Sequence, residues 1–395
     1  MGGEKMTCHD DVKDATGRNG FQVILSKRIT IRVVAAAMFI CVAGTGAAFA
    51  RVSWEQEWER TQAAARKEGK IVVSVPPDSA LRRTLEPMFK RRYGIELELV
   101  LGRGALIAGR IADEFKAGVR YFDLFFTTVD NMMERLLPMG AVEPYEPTWI
   151  LPEVKDAKNW WGGHIWNDKA KRYAYSASAY MLDNVWYNGD QVKPDEVRSY
   201  DDLLNPKWKG KIGFLDPRLG GAGVGIWGFL WANKGEEFLR KLVQQQGLMI
   251  SEDRIQAESL ARGKLAIAIG PTYYRFDPFI KAGINLRPFA PLKEGSYAAV
   301  GVGAPVLIKN SPSPNAAKVF INWFMSREGQ EIWGRVHGHA TRRLDVETKS
   351  MAQIGVRAAK DFLSIQEFNK YENQSEERVL SVRAPSREFA RKILP

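Results

Sequence analysis

The sequence is poor in the residues that covalent and metal-dependent enzymes use most. Its 395 residues include two cysteines, Cys8 and Cys41, and four histidines. Both cysteines lie in the first 50 residues, so the remaining chain has no disulfide and no thiol nucleophile, and any metal site must use oxygen or nitrogen ligands. A G-x-S-x-G nucleophile motif is also missing. These absences argue against a hydrolase.

Long hydrophobic runs are missing too, and the longest candidate lies near the N-terminus. No later stretch approaches the 18 or so uninterrupted apolar residues that a membrane span needs. A membrane anchor is the alternative interpretation of the N-terminal run, but the run is too short for one. Its parts instead follow one another in the order found in a secretory signal peptide. That order is basic Lys27, Arg28 and Arg32, apolar residues 33–43, and the small-residue site Ala48-Phe49-Ala50. We therefore predict a signal peptide over residues 1–50, with cleavage between Ala50 and Arg51.

Negative charge is in the minority, because the formal net charge is +11. Such a charge raises the question of a nucleic-acid partner. The basic residues are dispersed, however, and no predicted helix carries a dense basic face with interleaved aromatics. We predict no nucleic-acid binding. The composition, 45% hydrophobic and 26% charged, is that of a globular protein long enough for two domains.

The stretch 71–100, IVVSVPPDSALRRTLEPMFKRRYGIELELV, predicts a strand, a helix and a second strand. Ile71–Val75 is a short β-branched run typical of a buried parallel strand. Ser79 is the expected N-cap of the helix, Pro87 should kink or divide it, and Gly94 should end it. The alternation in residues 95–99 predicts a strand that returns to the same sheet. This βαβ unit predicts an α/β protein.

The candidate binding residues all follow predicted strands, at the sheet edge where open α/β folds bind ligands. The first loop, PPDS, adds the exposed N–H groups of a helix start. Two arginines near such a helix start favour a carboxylate, phosphate or phosphonate. The candidates are Pro77, Asp78, Ser79, Arg103, Thr127, Thr128, Asp216, Arg218, Tyr273 and Tyr274.

Two further motifs have weaker chemical meaning. Gly223, Gly225 and Gly228 fit a dinucleotide-binding pattern, but no acidic residue stands at the expected distance, which favours a tightly packed helix start. His337 and His339 would place two imidazoles on one side of an extended segment, without an evident third ligand. The expected role of His164 is a structural hydrogen bond.

Two extended segments, 173–186 and 297–308, are expected to cross between two lobes. The predicted organisation is a signal peptide at 1–50, the first part of lobe 1 at 51–175, lobe 2 at 176–290, a return to lobe 1 at 291–340 and a C-terminal helical tail at 341–395.

Five local patterns give this outline a family resemblance. They are the 71–100 stretch, FDLFFTT, SYDDLLNPKWKGKIGFLDP, ARGKLAIAIG and SPNAAKVFINWFMSREGQEIW. Together they resemble the periplasmic solute-binding proteins of bacterial ABC importers, in the branch that contains ferric-iron-binding proteins. The resemblance implies a type II fold, α/β, in which each of two lobes is a mixed sheet flanked by helices and two crossover strands join them. It also implies a periplasmic monomer, without enzymatic activity or cofactor, that delivers solute to an inner-membrane permease and its ATPase.

In the ferric-binding relatives, a tyrosine pair after the strand equivalent to LAIAIG supplies phenolate ligands, and here TYY follows that strand. Those relatives commonly add His and Glu from the first lobe, where this chain has PPDS and FTTVD. If Tyr273 and Tyr274 bind Fe³⁺, then Asp78 or an anion held by Arg103 and Arg218 would complete the coordination. The ligand is thus expected to be a small anion, or ferric iron with a synergistic anion. A secreted enzyme and the binding subunit of a membrane sensor are the alternatives.

Overall fold

The structure is a computed structural model that describes residues 53–395, except Thr128, Thr272, Gly301, Val302, His339 and 352–354, and that gives only the backbone of Thr127. The predicted signal peptide and its cleavage site lie outside the described residues. All described residues belong to one compact unit.

Thirteen strands are found in the part of the chain that the structure describes. They are β1 (Lys70–Val75), β2 (Glu96–Leu101), β3 (Leu124–Thr127), β4 (Val142–Glu143), β5 (Tyr180–Leu182), β6 (Val185–Asn188), β7 (Ile212–Leu215), β8 (Leu248–Ile250), β9 (Ile267–Ile269), β10 (Leu286–Pro288), β11 (Ala298–Ala299), β12 (Ala304–Ile308) and β13 (Val356–Ala358).

The helices surround these strands. They are α1 (Trp54–Glu68), α2 (Ser79–Tyr93), α3 (Gly104–Lys116), α4 (Val129–Asn131), α5 (Pro152–Lys155), α6 (Gly221–Gln244), α7 (Asp253–Ala261), α8 (Asp277–Lys281), α9 (Pro314–Met325), α10 (Arg327–His337), α11 (Ile365–Tyr371), α12 (Glu376–Arg378) and α13 (Ala384–Ile393). Two π-helical segments, Met132–Leu136 and Val379–Arg383, continue α4 and precede α13. Among the described helices, none combines the length and the apolarity needed to cross a membrane.

The first lobe is built on a mixed sheet in the order β2-β1-β3-β12-β4. Strand β1 is parallel to β2 and β3, and β12 returns antiparallel to β3. The β-branched residues of β1 are buried between β2 and β3, as the apolar run predicts. An aromatic cluster joins α2 to α9, with the rings of Phe89 and Phe320 5.5 Å apart.

The second lobe contains a sheet in the order β10-β6-β9-β7-β8. Strand β7 is parallel to β8 and β9, whereas β6 is antiparallel to β9 and β10. Stacked rings fill the core on one side of the sheet; Trp186 and Phe276 lie 4.4 Å apart. Helix α6 contributes a long buried face, and it is broken at Gly235, whose φ of 80° is in the left-handed region.

A third sheet, β11-β5-β13, joins the lobes. Strands β5 and β11 lie in the two segments predicted to cross between the lobes, and they pair antiparallel with each other. Strand β5 leads into β6 of the second lobe, and β11 leads into β12 of the first. Strand β13 comes from near the C-terminus and pairs antiparallel with the other edge of β5.

Three sequence predictions need correction. Asp78, not Ser79, is the N-cap of α2, because its carboxylate accepts the Ala80 N–H at 2.9 Å. Helix α2 also continues past Pro87, so this proline does not divide it in two. His337 is not in an extended segment but is the last residue of α10, where Gly338 provides the left-handed C-cap.

The description of residues 341–395 as a helical tail is incomplete. This segment contains β13, and its helices bury apolar side chains such as Val379 and Phe389. Helix α13 packs on α6, where the indole N–H of Trp227 donates to the carbonyl of Ser386 at 2.9 Å. Charged residues on the outer faces gave the segment its polar appearance, although one face of it belongs to the core of the second lobe.

Candidate ligand-binding cleft

A cavity of about 170 Å³ lies between the two lobes and the joining sheet. Its first-lobe wall follows the ends of β1 and β2, and its second-lobe wall follows the ends of β7, β8 and β9. The joining strands β5 and β11 also line the cavity, through Tyr180, Leu182, Ala299 and the adjacent Tyr297. The carboxyl ends of strands from both sheets therefore meet at this cavity, and ligands of open α/β sheets bind outside the carboxyl ends of the strands.

Two helices begin at this cavity, one from each lobe. Helix α3 begins at Gly104 and α6 at Gly221, and neither has a side-chain cap hydrogen bond. Residues 102–105 and 219–222 line the cavity. Their N–H groups and the positive ends of the helix dipoles are thus left for an anion rather than for a capping carboxylate.

Charged side chains at the cavity are arranged in pairs. Arg103 lies 3.2 Å from Glu252 across the lobes. Asp253 accepts from Arg275 at 3.0 Å, and the same guanidinium reaches the Pro77 carbonyl at 3.2 Å. These contacts connect the two walls directly, so the structure shows the lobes in contact around the cavity.

The structure places the predicted binding residues in two groups. Pro77, Arg103, Asp216 and Tyr274 line the cavity. Asp78, Ser79, Arg218 and Tyr273 do not belong to that lining. The side chain of Thr127 and the whole of Thr128 lie outside the described residues, although the backbone of Thr127 ends β3 at the same edge.

Arg218 is held by neighbours outside the cavity lining and by Asp216. Its guanidinium makes a bidentate contact with Asp216, at 2.8 Å for the Nη2 to Oδ2 pair, and donates to a main-chain oxygen of Pro395 at 2.6 Å. Ser79 is exposed and accepts from Arg83 at 2.9 Å. Each of these side chains has a structural partner where it lies.

The tyrosine pair has an asymmetric environment. Tyr273 is buried, and its hydroxyl donates a short hydrogen bond to the main-chain carbonyl of His337. Burial raises the pKa of Tyr273 well above its ordinary value, which favours the neutral phenol. Tyr274 faces the cavity, with its ring 5.2 Å from that of His337 and the Arg275 guanidinium 5.0 Å from its centre.

Asp78 supports this region from the first lobe. Its Oδ2 lies 2.8 Å from Nδ1 of the buried His337, while Oδ1 caps α2. Burial raises the pKa of the Asp78 carboxyl. The hydrogen bond to His337, the electrostatic attraction of that imidazole and the hydrogen bond from the Ala80 N–H together outweigh burial, so the pKa lies below its ordinary value.

Histidine and carboxylate groups do not gather into a metal site among the described residues. No set of three or more His, Cys, Asp or Glu side chains there has metal-binding geometry. His164 bonds to the Tyr175 hydroxyl at 3.1 Å and the Lys155 carbonyl at 3.0 Å, the structural role expected of it.

The glycines of α6 serve close packing. A Cβ on Gly223 would lie 2.7 Å from the Leu215 carbonyl oxygen, and one on Gly225 would lie 2.5 Å from the Tyr297 ring. Tyr297 lines the cavity, so these glycines let the start of α6 approach its wall. This is the tight helix start that the sequence favours over a dinucleotide motif.

Besides the tyrosines at the joining strands, sequence reasoning missed five polar residues of the lining, namely Asn131, Ser251, Asp253, Gln374 and Arg383. Gln374 and Arg383 belong to the segment predicted as a tail, and no local pattern marked them. Arg383 is 1% exposed, which is unusual for an arginine. Its burial beside Val382 is a property of the structure that the sequence alone does not give.

Comparison with known proteins identifies the family. Residues 70–338 match the family model described as bacterial extracellular solute-binding protein. The chain belongs to this family. The resemblance stated from the sequence is therefore confirmed, and Arg383 lies beyond the matched residues.

Solved structures show that this solute-binding protein has the predicted fold. Iron-bound HitA from Pseudomonas aeruginosa matches with a TM-score of 0.63 and 17% identity, covering 82% of this chain and 99% of HitA. The periplasmic binding protein AfuA from Actinobacillus pleuropneumoniae, with fructose-6-phosphate bound, matches with a TM-score of 0.62 and 16% identity, covering 82% and 97%. The two-lobed α/β fold with crossover strands is thus confirmed.

A curated relative matches over a shorter stretch. Iron uptake protein A1 of Synechocystis is 28% identical over 160 residues, which are 37% of this chain and 44% of that protein. The match thus spans less than half the length of this relative.

Proposed function

We propose that this solute-binding protein captures a small anionic solute in the interlobe cleft and delivers it to an ABC-type permease. The observation that carries the proposal is the pair of helix starts, Gly104 of α3 and Gly221 of α6, which open on one cavity without side-chain caps. Their backbone N–H groups and the guanidinium of Arg103 supply donors for an anion.

The two helix starts belong to different lobes, which links binding to closure. An anion that accepts from both walls makes more hydrogen bonds in the closed form than in the open form. Binding therefore shifts the population toward closure by this difference in affinity. A closed, solute-loaded form is what a permease can distinguish from an empty protein.

Ferric iron is the second candidate, because Tyr274, which the sequence resemblance likens to a ligand of the ferric-binding proteins, lines the cavity and HitA was solved with iron. Tyr273 counts against it. Its hydroxyl donates to the His337 carbonyl, and its side chain is not part of the cavity lining. The geometry therefore supports an anion over iron.

The predicted signal peptide supports a periplasmic location, and we propose a monomer that meets a permease and its ATPase.

The cavity lining also argues against an enzyme. Among the described residues that form it there is no cysteine or histidine, so a nucleophile paired with a histidine base is not found there. A membrane sensor could use the same cleft in place of a permease, and the neighbouring genes would distinguish the two.

Native mass spectrometry of protein taken from its own periplasm tests the ligand class. We expect the extra mass to be an anionic organic or phosphorus-containing solute, and calorimetry with that solute should show saturable binding. Ferric citrate added to the empty protein should give no visible tyrosinate-to-iron band. Such a band, lost in Tyr274→Phe, or a neutral solute in the spectrum, would overturn the proposal.

A further inference from the structure

Arg383 enters the cavity from the C-terminal segment. It ends the π-helical turn Val379–Arg383, and its side chain is 1% exposed although it lines the cavity. Its Nε and Nη2 donate to Oδ1 of Asn373 at 3.2 and 2.8 Å. Asn373 in turn donates to the Gly225 carbonyl at 2.8 Å. The guanidinium is thus held in a fixed orientation relative to α6.

One nitrogen of this guanidinium lacks an acceptor. Nη1 is buried and makes no hydrogen bond with any described residue. Its closest counter-charge is Oδ2 of Asp130 at 3.7 Å, an ion-pair distance rather than a hydrogen bond. A buried N–H without an acceptor costs free energy, so the site favours anything in the cavity that supplies an oxygen.

The open start of α6 lies beside the same group. Asp130 connects the two features, because a Cβ on Gly220 would lie 3.4 Å from its Oδ2. Gly220, Gly221 and Ala222 line the cavity together with Arg383. A donor from the C-terminal segment and donors from a helix start therefore face the same volume.

We propose that Arg383 Nη1 and the start of α6 form the site that binds the oxyanion group, carboxylate or phosphate, of the solute. The proposal rests on the proposed function and refines it. A planar guanidinium fixed by Asn373 presents one directed N–H to an oxyanion, and the backbone N–H groups of α6 complete the contacts. Asp130 competes for the same nitrogen.

The probes are inorganic phosphate and citrate, titrated by calorimetry at constant ionic strength into the full chain. We expect Arg383→Met to weaken the binding of at least one probe on the order of 10- to 100-fold, the effect of losing one charged hydrogen bond. Arg383→Lys should bind with intermediate strength. Asp130→Asn removes the competing carboxylate and also its ion pair with Arg387, 3.6 Å across the lobes. It should therefore bind more tightly than Glu134→Gln, which loses only a contact of Arg387.

Arg391→Met is the matched control, since Arg391 is exposed on α13 and pairs with Glu388. Its affinity should equal that of the wild type. Thermal unfolding without probe separates folding defects from binding defects; if Arg383→Met does not fold, Arg383→Lys and Asp130→Asn decide.

The outcomes separate this proposal from the proposed function. A wild-type protein that binds neither probe nor any other anion overturns both. Binding that is equal in the wild type and Arg383→Met overturns the role of Arg383 alone. Weaker binding in Asp130→Asn than in Glu134→Gln, together with weaker binding in Arg383→Met, would show that the pair only supports the fold, which also overturns it.

Discussion

At the scale of single residues, Asp78 connects three structural features. Its carboxylate caps α2, contacts His337 at the end of α10, and so fixes the main chain whose carbonyl receives the Tyr273 hydroxyl from the second lobe. One half-buried carboxylate thereby positions a first-lobe surface that the second lobe contacts. Its ionisation should consequently affect the stability of the whole unit.

We predict that Asp78→Asn flattens the acid limb of the stability profile. The pKa of Asp78 is lower in the folded protein than in the unfolded chain. The stabilisation that the ionised Asp78 gives the folded protein is therefore complete above the pKa of the unfolded chain, about 3.9. It is lost as the pH falls through the lower pKa of the folded protein. Asparagine can still cap α2 but carries no charge, so the free energy of unfolding at pH 7 should fall by about 1 to 2 kcal/mol.

Urea unfolding at pH 7 and at pH 3.5 measures this difference. Asp156→Asn is the control, because Asp156 caps a surface turn by accepting the Lys158 N–H at 2.9 Å. Parallel pH profiles for Asp78→Asn and the wild type would contradict the prediction.

At the scale of elements, the first turns of α6 depend on the absence of side chains. Gly223 lies against the main chain at the end of β7, whereas Gly228 lies against the side chains of Ser386 and Val382 in the C-terminal segment. Main chain in a sheet moves less easily than the end of a side chain. The two glycines should therefore respond differently to an added methyl group.

We predict that Gly223→Ala destabilises the protein and that Gly228→Ala does not. Alanine gains about 1 kcal/mol in helix propensity at either position. At Gly223 the Cβ would lie 2.7 Å from a carbonyl oxygen, and the clash of about 1 to 3 kcal/mol outweighs that gain. At Gly228 the nearest contact is 3.3 Å.

The free energy of unfolding in urea tests this pair, with Gly228→Ala as the internal control. Equal stability of the two variants would mean that the strand end yields as readily as a side chain.

The elements also show how far the sequence leads. Periodicity predicted β1, α2 and β2 because each buries an apolar face over several residues. It predicted the strand ends at which Arg103 and Tyr274 line the cavity. It did not predict β13, which has three residues and owes its conformation to pairing with distant β5. The binding role proposed for Arg383 was missed for the same reason, since tertiary contacts place that residue.

At the scale of the whole molecule, the lobes are held together at the C-terminal segment as well as at the cavity. Arg387 of α13 forms ion pairs with Glu134 and Asp130 of the first lobe. Helix α13 itself packs on α6 of the second lobe. These ion pairs therefore connect the lobes and should break when the cleft opens.

We predict that Glu134→Gln shifts the protein toward the open form. It removes one closing contact without changing the cavity lining, so the apparent dissociation constant for phosphate or citrate should rise about 2- to 5-fold, as expected for a partly exposed ion pair. Scattering profiles of the wild type should contract with saturating probe, and the variant should need more probe for the same contraction.

Glu114→Gln is the control here, because Glu114 pairs with Arg110 within the first lobe only. An unchanged dissociation constant in Glu134→Gln would remove the ion pair from the account of closure. Identical scattering with and without a bound probe would contradict lobe closure altogether.

The joining sheet has a consequence for the order in which the protein folds. Met181 of β5 pairs with Ala298 of β11 and with Arg357 of β13, so each pairing must close a long loop of chain. Contacts so distant in sequence form slowly. Arg383 follows the last of these strands, and the cleft is complete only when the end of the chain has docked. We therefore expect solute binding to appear as the final kinetic phase of refolding, after the lobes have acquired their own secondary structure.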